Sequence, residues 1–336
     1  MSQSYLHLFH CITPLHTGSG QGFGAIDRPL LRESTTGYPY VQSATLKGAL
    51  AARQREKLRA AGAPEGTERD DWERDDPAYR AAFGRGETDG NQGCLLFTQA
   101  DLLLFPVRSL AGTFAWVTSP LVLARLARFL DLVAPGDQDL AASVRALLDA
   151  AHQPSPGVAV GGERLPDEAG QVEALDAELR LRDGGPYALE GLILKAETAA
   201  SARQAVGAFA AALGKVLFAD SDYWQERLLR RLLVVSSGEF DRFLASATQI
   251  EPNIRIEKSG VTQDGSLRYT ELLPAETVLV SFVSLLDPAS LGLEQKEADV
   301  AKLYSELAGS PIQLGGDETK GKGLVRQVLL PGGGAA

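Results

Sequence analysis

Two side-chain periodicities alternate along this chain and never settle into a fixed repeat. The run SYLHLFHCI at 4–12 alternates apolar and polar residues, the spacing of a strand. The run from Ser43 to Ala60 instead returns Leu46, Ala49 and Leu50 to one side, the spacing of a helix. Ser43 stands at its N-cap, and Lys47, Arg53, Arg55, Lys57 and Arg59 lie on the other side. The switching continues with insertions at irregular places, which predicts an α+β fold with no internal repeat.

Further along, CLLFTQADLLLFPVRSLAGTFAWVTSP (94–120) reads as two strands and a helix start, with Ser119 as N-cap and Pro120 at the first helical position. Helices are expected at 120–133, 137–152, 197–218, 221–231, 238–246 and 294–308, and a buried strand at 232–237. Loops and strands fill 155–196, and a hairpin covers 248–275 with its tip near Gln263-Asp264-Gly265. The stretch 62–93 is rich in Asp, Glu, Gly and Arg and reads as a solvated insertion. The tail 331–336, PGGGAA, is expected to fray.

The net charge of −10 and the pI of about 5.0 argue against a free-standing protein that holds nucleic acid by bulk charge. A polyanion would have to be met by local patches and backbone amides. No apolar run reaches the roughly 18 residues of a membrane span, and the opening MSQSYLHLFH lacks the layout of a signal peptide. Cys11 and Cys94 sit in strand-like runs and read as buried thiols of a cytoplasmic protein. His7, His10, His16 and His152 show no zinc-ligand spacing with either cysteine.

The stretch LHTGSGQGFGAIDRP (15–29) carries Gly18, Gly20, Gly22 and Gly24 and then one acid, Asp27. A backbone this bare is either a flexible turn or a surface that a large anionic ligand can approach closely. Asp27 is by itself more readily a turn former than a catalytic group, and His16 is open between a structural and a chemical role. Lys47 stands in the first turn of its helix, where free amides and the dipole favour an anion. Tyr269 and Glu271, two apart on a predicted strand, share one face. Gly316-Asp317-Glu318-Thr319-Lys320-Gly321-Lys322-Gly323 nearly matches a phosphate-binding P-loop. Gly323, however, replaces the Ser or Thr that would hold magnesium, and the strand-like LVRQVLL follows where a helix is needed. Nucleotide hydrolysis is therefore not expected. A loop whose amides and Lys320 or Lys322 touch a phosphate backbone, or a plain hairpin loop, both remain open.

Four stretches in this order carry a resemblance. They are TPLHTGSGQGFGAIDRPLLRESTTGYPYVQSATLKGAL (13–50), ADLLLFPVRSLAGTFAWVTSP (100–120), LRYTELLP (267–274) and IQLGGDETKGKGLV (312–325). Together they resemble the backbone subunit of type III-B CRISPR effector complexes, the Cmr-type member of the Cas-seven group within the RAMP superfamily. The resemblance implies one modified RRM, or ferredoxin-like, palm over 1–336, with the hairpin at about 248–275 as a thumb and 62–93 as a finger-like insertion. It implies copies stacked in a filament along a CRISPR guide RNA, beside other Cmr-type subunits, with each thumb kinking the RNA. Complementary target RNA is then read by base pairing.

It also implies an endoribonuclease that cleaves the target at each kink through 2′-OH attack. Asp27 would be the catalytic residue and the ligand of a divalent cation, Mg2+ or Mn2+, with secondary contributions from His16, Tyr269 and Glu271. Lys47 matches a guide contact, and Gly18, Gly20, Ser43, Thr45, Arg53, Gly316, Lys320, Gly321 and Lys322 complete the implied RNA-binding set. A non-catalytic scaffold and a guide-processing endonuclease are the alternatives. Ser43-Ala44-Thr45 departs from the Gly-Ser-Ser that often precedes Leu-Lys-Gly in the family. Glu251, Glu257 and Asp264 on the thumb are unfavourable beside phosphates unless they face away.

Overall fold

The computed structural model describes residues 3–20, 22, 25–62, 72–84, 92–133, 138–152, 159–160, 163–164, 172–174, 179, 186–194 and 200–333. Gly24 and positions 63–71 and 85–91 of the 62–93 insertion lie outside the described residues. In chain order the elements are β1 (Ser4–Cys11), β2 (Tyr40–Val41), α1 (Ser43–Ala61), α2 (Pro77–Phe83), β3 (Leu95–Phe97), β4 (Ala100–Ser109) and β5 (Thr113–Thr118). Then come α3 (Pro120–Val133), α4 (Gln138–His152), β6 (Ala159–Val160), β7 (Glu163–Arg164), β8 (Val172–Ala174), β9 (Tyr187–Leu189), β10 (Leu192–Leu194), α5 (Ala200–Leu217) and α6 (Asp222–Arg231). The last part holds β11 (Leu232–Val235), α7 (Ser237–Ser246), β12 (Gln249–Asn253), β13 (Arg268–Leu272), β14 (Val278–Leu285), α8 (Glu297–Ala308), β15 (Ile312–Gln313) and β16 (Leu324–Pro331).

The main sheet follows the order β15-β16-β1-β14-β4-β5-β11-β8, antiparallel except where β5 meets β11. The class is α+β, as the sequence predicts. β1 does not have one wet face, however: every residue from Tyr5 to Cys11 is buried. Both faces of this central strand are covered. Tyr5 and His7 meet the Tyr304 ring of α8 on one side. Leu6 lies opposite Phe282 on the other, and Phe282 stacks on Phe129 of α3. The polar positions of the strand include buried histidines with partners. His7 Nδ1 bonds the Tyr304 hydroxyl at 2.7 Å, and His10 Nε2 pairs with Glu276 at 2.7 Å.

Other expectations shift locally. Residues 94–120 form three strands rather than two, because β3 breaks off before Ala100 and pairs with β14 on its own. Gln42, not Ser43, is the residue before α1, and it makes no side-chain cap. The described part of the 62–93 insertion is not simply solvated. α2 buries Tyr79, Ala81, Ala82 and Phe83, and the buried Glu73 pairs with Arg59 of α1. Ser119 bonds the Val122 amide through Oγ at 3.4 Å, as its N-cap assignment requires. Both cysteines are buried and free.

β12 and β13 form a separate two-stranded hairpin outside the main sheet. Its far turn is at Glu257–Val261, where the Glu257 amide bonds Val261 O and the Gly260 amide bonds Glu257 O. Gln263–Gly265 is a second turn on the returning arm, held by the Ser266 amide on Gln263 O. Ile250, Ile254, Ile256, Val261, Leu267 and Tyr269 on this hairpin are all exposed. Among the described residues no helix is long and apolar enough to cross a membrane.

Candidate functional site

After β1 the chain leaves the sheet and is gripped from two sides. Leu15 exchanges both backbone bonds with Leu273, at 2.9 and 2.8 Å, and His16 O accepts the Gly316 amide at 3.0 Å. Residues 17–19 then pair with 29–31 through Leu31 N to Thr17 O and Ser19 N to Pro29 O. The described part of the glycine-rich stretch therefore belongs to a small ribbon rooted between the hairpin base and the C-terminal glycine loop. Gly20 takes a φ of +84° with open space around it, a conformation that glycine adopts without strain.

Beyond the ribbon the chain lies parallel to β13. Arg28 N bonds Tyr269 O at 3.1 Å and Glu271 N bonds Arg28 O at 2.9 Å. Asp27 completes this junction: its Oδ2 accepts the Tyr269 amide at 2.8 Å, and the carboxylate is exposed. His16, next to the junction, donates from Nδ1 to Glu271 O at 2.8 Å. A carbonyl can only accept, so this contact fixes the tautomer and leaves Nε2 as the acceptor nitrogen of a buried ring. A Cβ on Gly18 would fall 2.8 Å from Nε2, so the glycine keeps that side of the ring open. Burial pushes the His16 pKa below its ordinary value, and the nearby Arg28 charge acts in the same direction.

Glu271 does not share an exposed face with Tyr269. The hairpin turns into the body at this point, so Tyr269 is exposed while Glu271 is buried. Three donors converge on its carboxylate: Leu30 N at 2.9 Å, Arg32 at 2.6 Å and Thr248 Oγ1 at 3.0 Å. Glu271 thus acts as a clamp between the Asp27 segment and the hairpin base.

The C-terminal loop is also tied inward. The amides of Gly316, Lys320, Gly321, Lys322 and Gly323 all bond carbonyls of the chain itself, so these five are not available to a phosphate. Lys322 pairs with Glu251 of β12, which answers what Glu251 does on the hairpin. Lys320 reaches Asn253 at 3.1 Å and Asp317 at 3.6 Å and stays half exposed. Asp317, at φ +62°, takes Arg28 Nη1 on both oxygens at 3.1 and 2.8 Å. Burial works against its charge. The Arg28 bonds and the Lys320 charge outweigh that and hold the Asp317 carboxyl below its usual range.

The α1 residues form a neighbouring surface. Thr45 and Arg53 line a groove of about 670 Å3 with Pro311, Gln313, Gly315 and Glu318, so it abuts the same loop. Arg53 is not free there: its guanidinium bonds Ser310 O at 3.1 Å and Pro311 O at 2.6 Å. Ser43 begins the helix and is partly exposed. Lys47 is half buried, and burial lowers its pKa. Of the residues singled out in the sequence, His16, Asp27, Tyr269, Glu271, Gly316, Lys320 and Lys322 therefore come together. Arg28, Arg32, Thr248 and Asp317 join them, marked in the sequence only by the adjacency of Arg28 to Asp27 and by the place of Asp317 in the glycine loop.

Among the described residues no group of three His, Cys, Asp or Glu side chains is placed to hold a metal ion. Asp27 offers one oxygen that is free of the Tyr269 amide, and the neighbouring carboxylates are committed to Arg28 and Arg32.

An α+β sheet domain whose first loop, C-terminal glycine loop and projecting hairpin meet at one junction has the architecture of a RAMP protein. The RAMP superfamily matches residues 8–326, and the chain belongs to that superfamily. Within it, the chain is similar to the CRISPR system Cmr endoribonuclease Cmr4 of Pyrococcus furiosus, at 27% identity over 332 residues, 97% of this chain and 96% of that one. Two solved structures share the fold. One is the cryo-EM structure of the type III-B Cmr-beta bound to cognate target RNA (TM-score 0.69, 19% identity, 97% of this chain and 96% of the other). The other is the crystal structure of oligomeric Cmr4 from Pyrococcus furiosus (TM-score 0.62, 23% identity, 98% and 99%).

Proposed function

We propose that this chain is the repeated backbone subunit of a type III-B CRISPR ribonucleoprotein. It binds guide RNA along a filament of its own copies and cuts paired target RNA at regular intervals. Full-length similarity to the Cmr endoribonuclease Cmr4 supports the reading. The observation that carries the chemistry is the exposed Asp27 carboxylate, anchored by the Tyr269 amide where the first loop meets the hairpin.

In this reading the exposed aliphatic side chains of the hairpin wedge between bases, and the resulting kink brings a 2′-OH in line with its own phosphorus. Asp27 holds the 2′-OH, and neutral His16 accepts its proton at Nε2. The 2′ oxygen bonds phosphorus, the P–O5′ bond breaks, and the leaving oxygen takes a proton from water, giving a cyclic phosphate and a 5′-OH. A divalent cation at Asp27 would draw its other ligands from RNA phosphates and water and would add positive charge beside the reacting phosphate.

The test is the assembled complex with complementary RNA and magnesium. Asp27→Asn is expected to keep guide and target binding and to abolish cutting. Cleavage at unchanged intervals by the mutant would remove Asp27 from the chemistry. A 2′-deoxy nucleotide at the cut site is expected to block the reaction, and cutting there would point to a water nucleophile. An isolated subunit that cuts repeat RNA would favour a guide-processing role instead.

A further inference from the structure

Attack of a 2′ oxygen on phosphorus places growing negative charge on the two non-bridging oxygens. A carboxylate and a neutral imidazole do not offset that charge. Arg32 is tied to Glu271 and to the carbonyls of Gly37 and Leu244, and Lys322 is closed off by Glu251. Arg28 differs in geometry. It follows Asp27 directly, and its backbone is locked to Tyr269 and Glu271 on both sides. A single nitrogen, Nη1, meets both oxygens of Asp317, while the side chain stays 37% exposed. Its other terminal nitrogen, Nη2, turns to Gly316. A Cβ at Gly316 would sit 3.5 Å from Arg28 Nη2 and 3.6 Å from His16 Cδ2, so the guanidinium and the imidazole converge on one point that the glycine leaves open.

We infer that Arg28 is a catalytic residue, binding the non-bridging oxygens of the scissile phosphate in the space left by Gly316, and that Asp317 is the residue that positions it. The inference rests on the target-cleavage reading. It names the phosphate as the ligand and the guanidinium as its electrophilic partner. Asp317, at φ +62°, places both oxygens on one Arg28 nitrogen, leaving the outer edge of the fork for substrate.

The experiment is single-turnover cleavage of complementary RNA by complexes assembled with wild-type chain, Arg28→Gln, Arg28→Lys, Asp317→Asn and Asp27→Asn, with target affinity measured beside each rate. Arg28→Gln is expected to slow cleavage by about a hundredfold, and Arg28→Lys and Asp317→Asn by about tenfold, since lysine keeps charge but not the fork. Target affinity is expected to stay within about threefold, the split that separates transition-state contact from a structural role. Wild-type rates for Arg28→Lys and Asp317→Asn overturn the inference even where Arg28→Gln fails to assemble. So does an Arg28→Gln complex that assembles and cuts normally, or one whose rate loss equals its loss of target affinity. Cutting by Asp27→Asn while Arg28→Gln is slow removes only the Asp27 role. A wild-type complex that leaves the target intact overturns both readings.

Discussion

The Asp27 carboxylate is bonded to the peptide of Tyr269, a residue 242 positions away, at 2.8 Å. The donor is the main chain, so the position of Asp27 depends on where the hairpin's returning arm lies and not on the tyrosine ring. Tyr269→Phe keeps this bond and Tyr269→Pro removes it. A bond to a charged group contributes about 1.5–3 kcal/mol. Tyr269→Pro is expected to lower cleavage by the assembled complex at least tenfold, while Tyr269→Phe stays near wild type. Equal rates for the two variants would show that the anchor is dispensable.

Glu271 and Arg32 are expected to act on stability first. Glu271→Ala would leave Arg32 and the Leu30 amide without their partner in a largely buried place, a loss of about 3 kcal/mol. Chemical denaturation of the purified subunit measures it. The double variant Glu271→Leu with Arg32→Met is expected to be less destabilised than the sum of the two single changes.

The two loop lysines are expected to separate by assay. Lys320 is half exposed, and Lys320→Ala should reduce the salt slope of guide-RNA binding by about one. Lys322, closed off by Glu251, should leave that slope unchanged and lower the melting temperature instead. Guide binding titrated at several salt concentrations decides between these roles.

Glycines of the same loop predict opposite tolerances. A Cβ on Gly323, at φ +74°, would fall 1.9 Å from Leu314 O, whereas Gly321, at φ +75°, has open space. Gly321→Ala is expected to cost about 1 kcal/mol and Gly323→Ala more than about 3 kcal/mol, read as shifts in thermal unfolding.

Acid sensitivity is expected from His7. Burial holds its pKa at about 3 against an ordinary 6.5. Between these values the unfolded chain carries a proton that the folded chain refuses. Stability is therefore complete above pH 6.5 and declines on acidification towards pH 3, by up to about 1.4 kcal/mol per pH unit. Urea midpoints at several pH values measure the slope, and His7→Gln, which takes no proton, should flatten it.

The sequence by itself determined the α+β class, most helix positions, the bare ribbon with its single acid, and a hairpin rooted near Tyr269. These are local properties, set by side-chain period, by caps and by glycine. The same local signals mark β1 as a strand but not that both its faces are covered, because alternation names a face and does not count the layers over it. Tyr269 and Glu271 lie two apart on one strand, as read, but the spacing does not tell that the strand enters the body between them, so that only Tyr269 stays exposed. The tertiary structure alone decided which charges are committed. Lys322 meets Glu251 and Arg28 meets Asp317 across 71 and 289 positions, and no pattern within either segment registers a partner that far away. The ribbon, the glycine loop and the hairpin base become one site only because backbone bonds from Leu15, His16 and Arg28 draw them together.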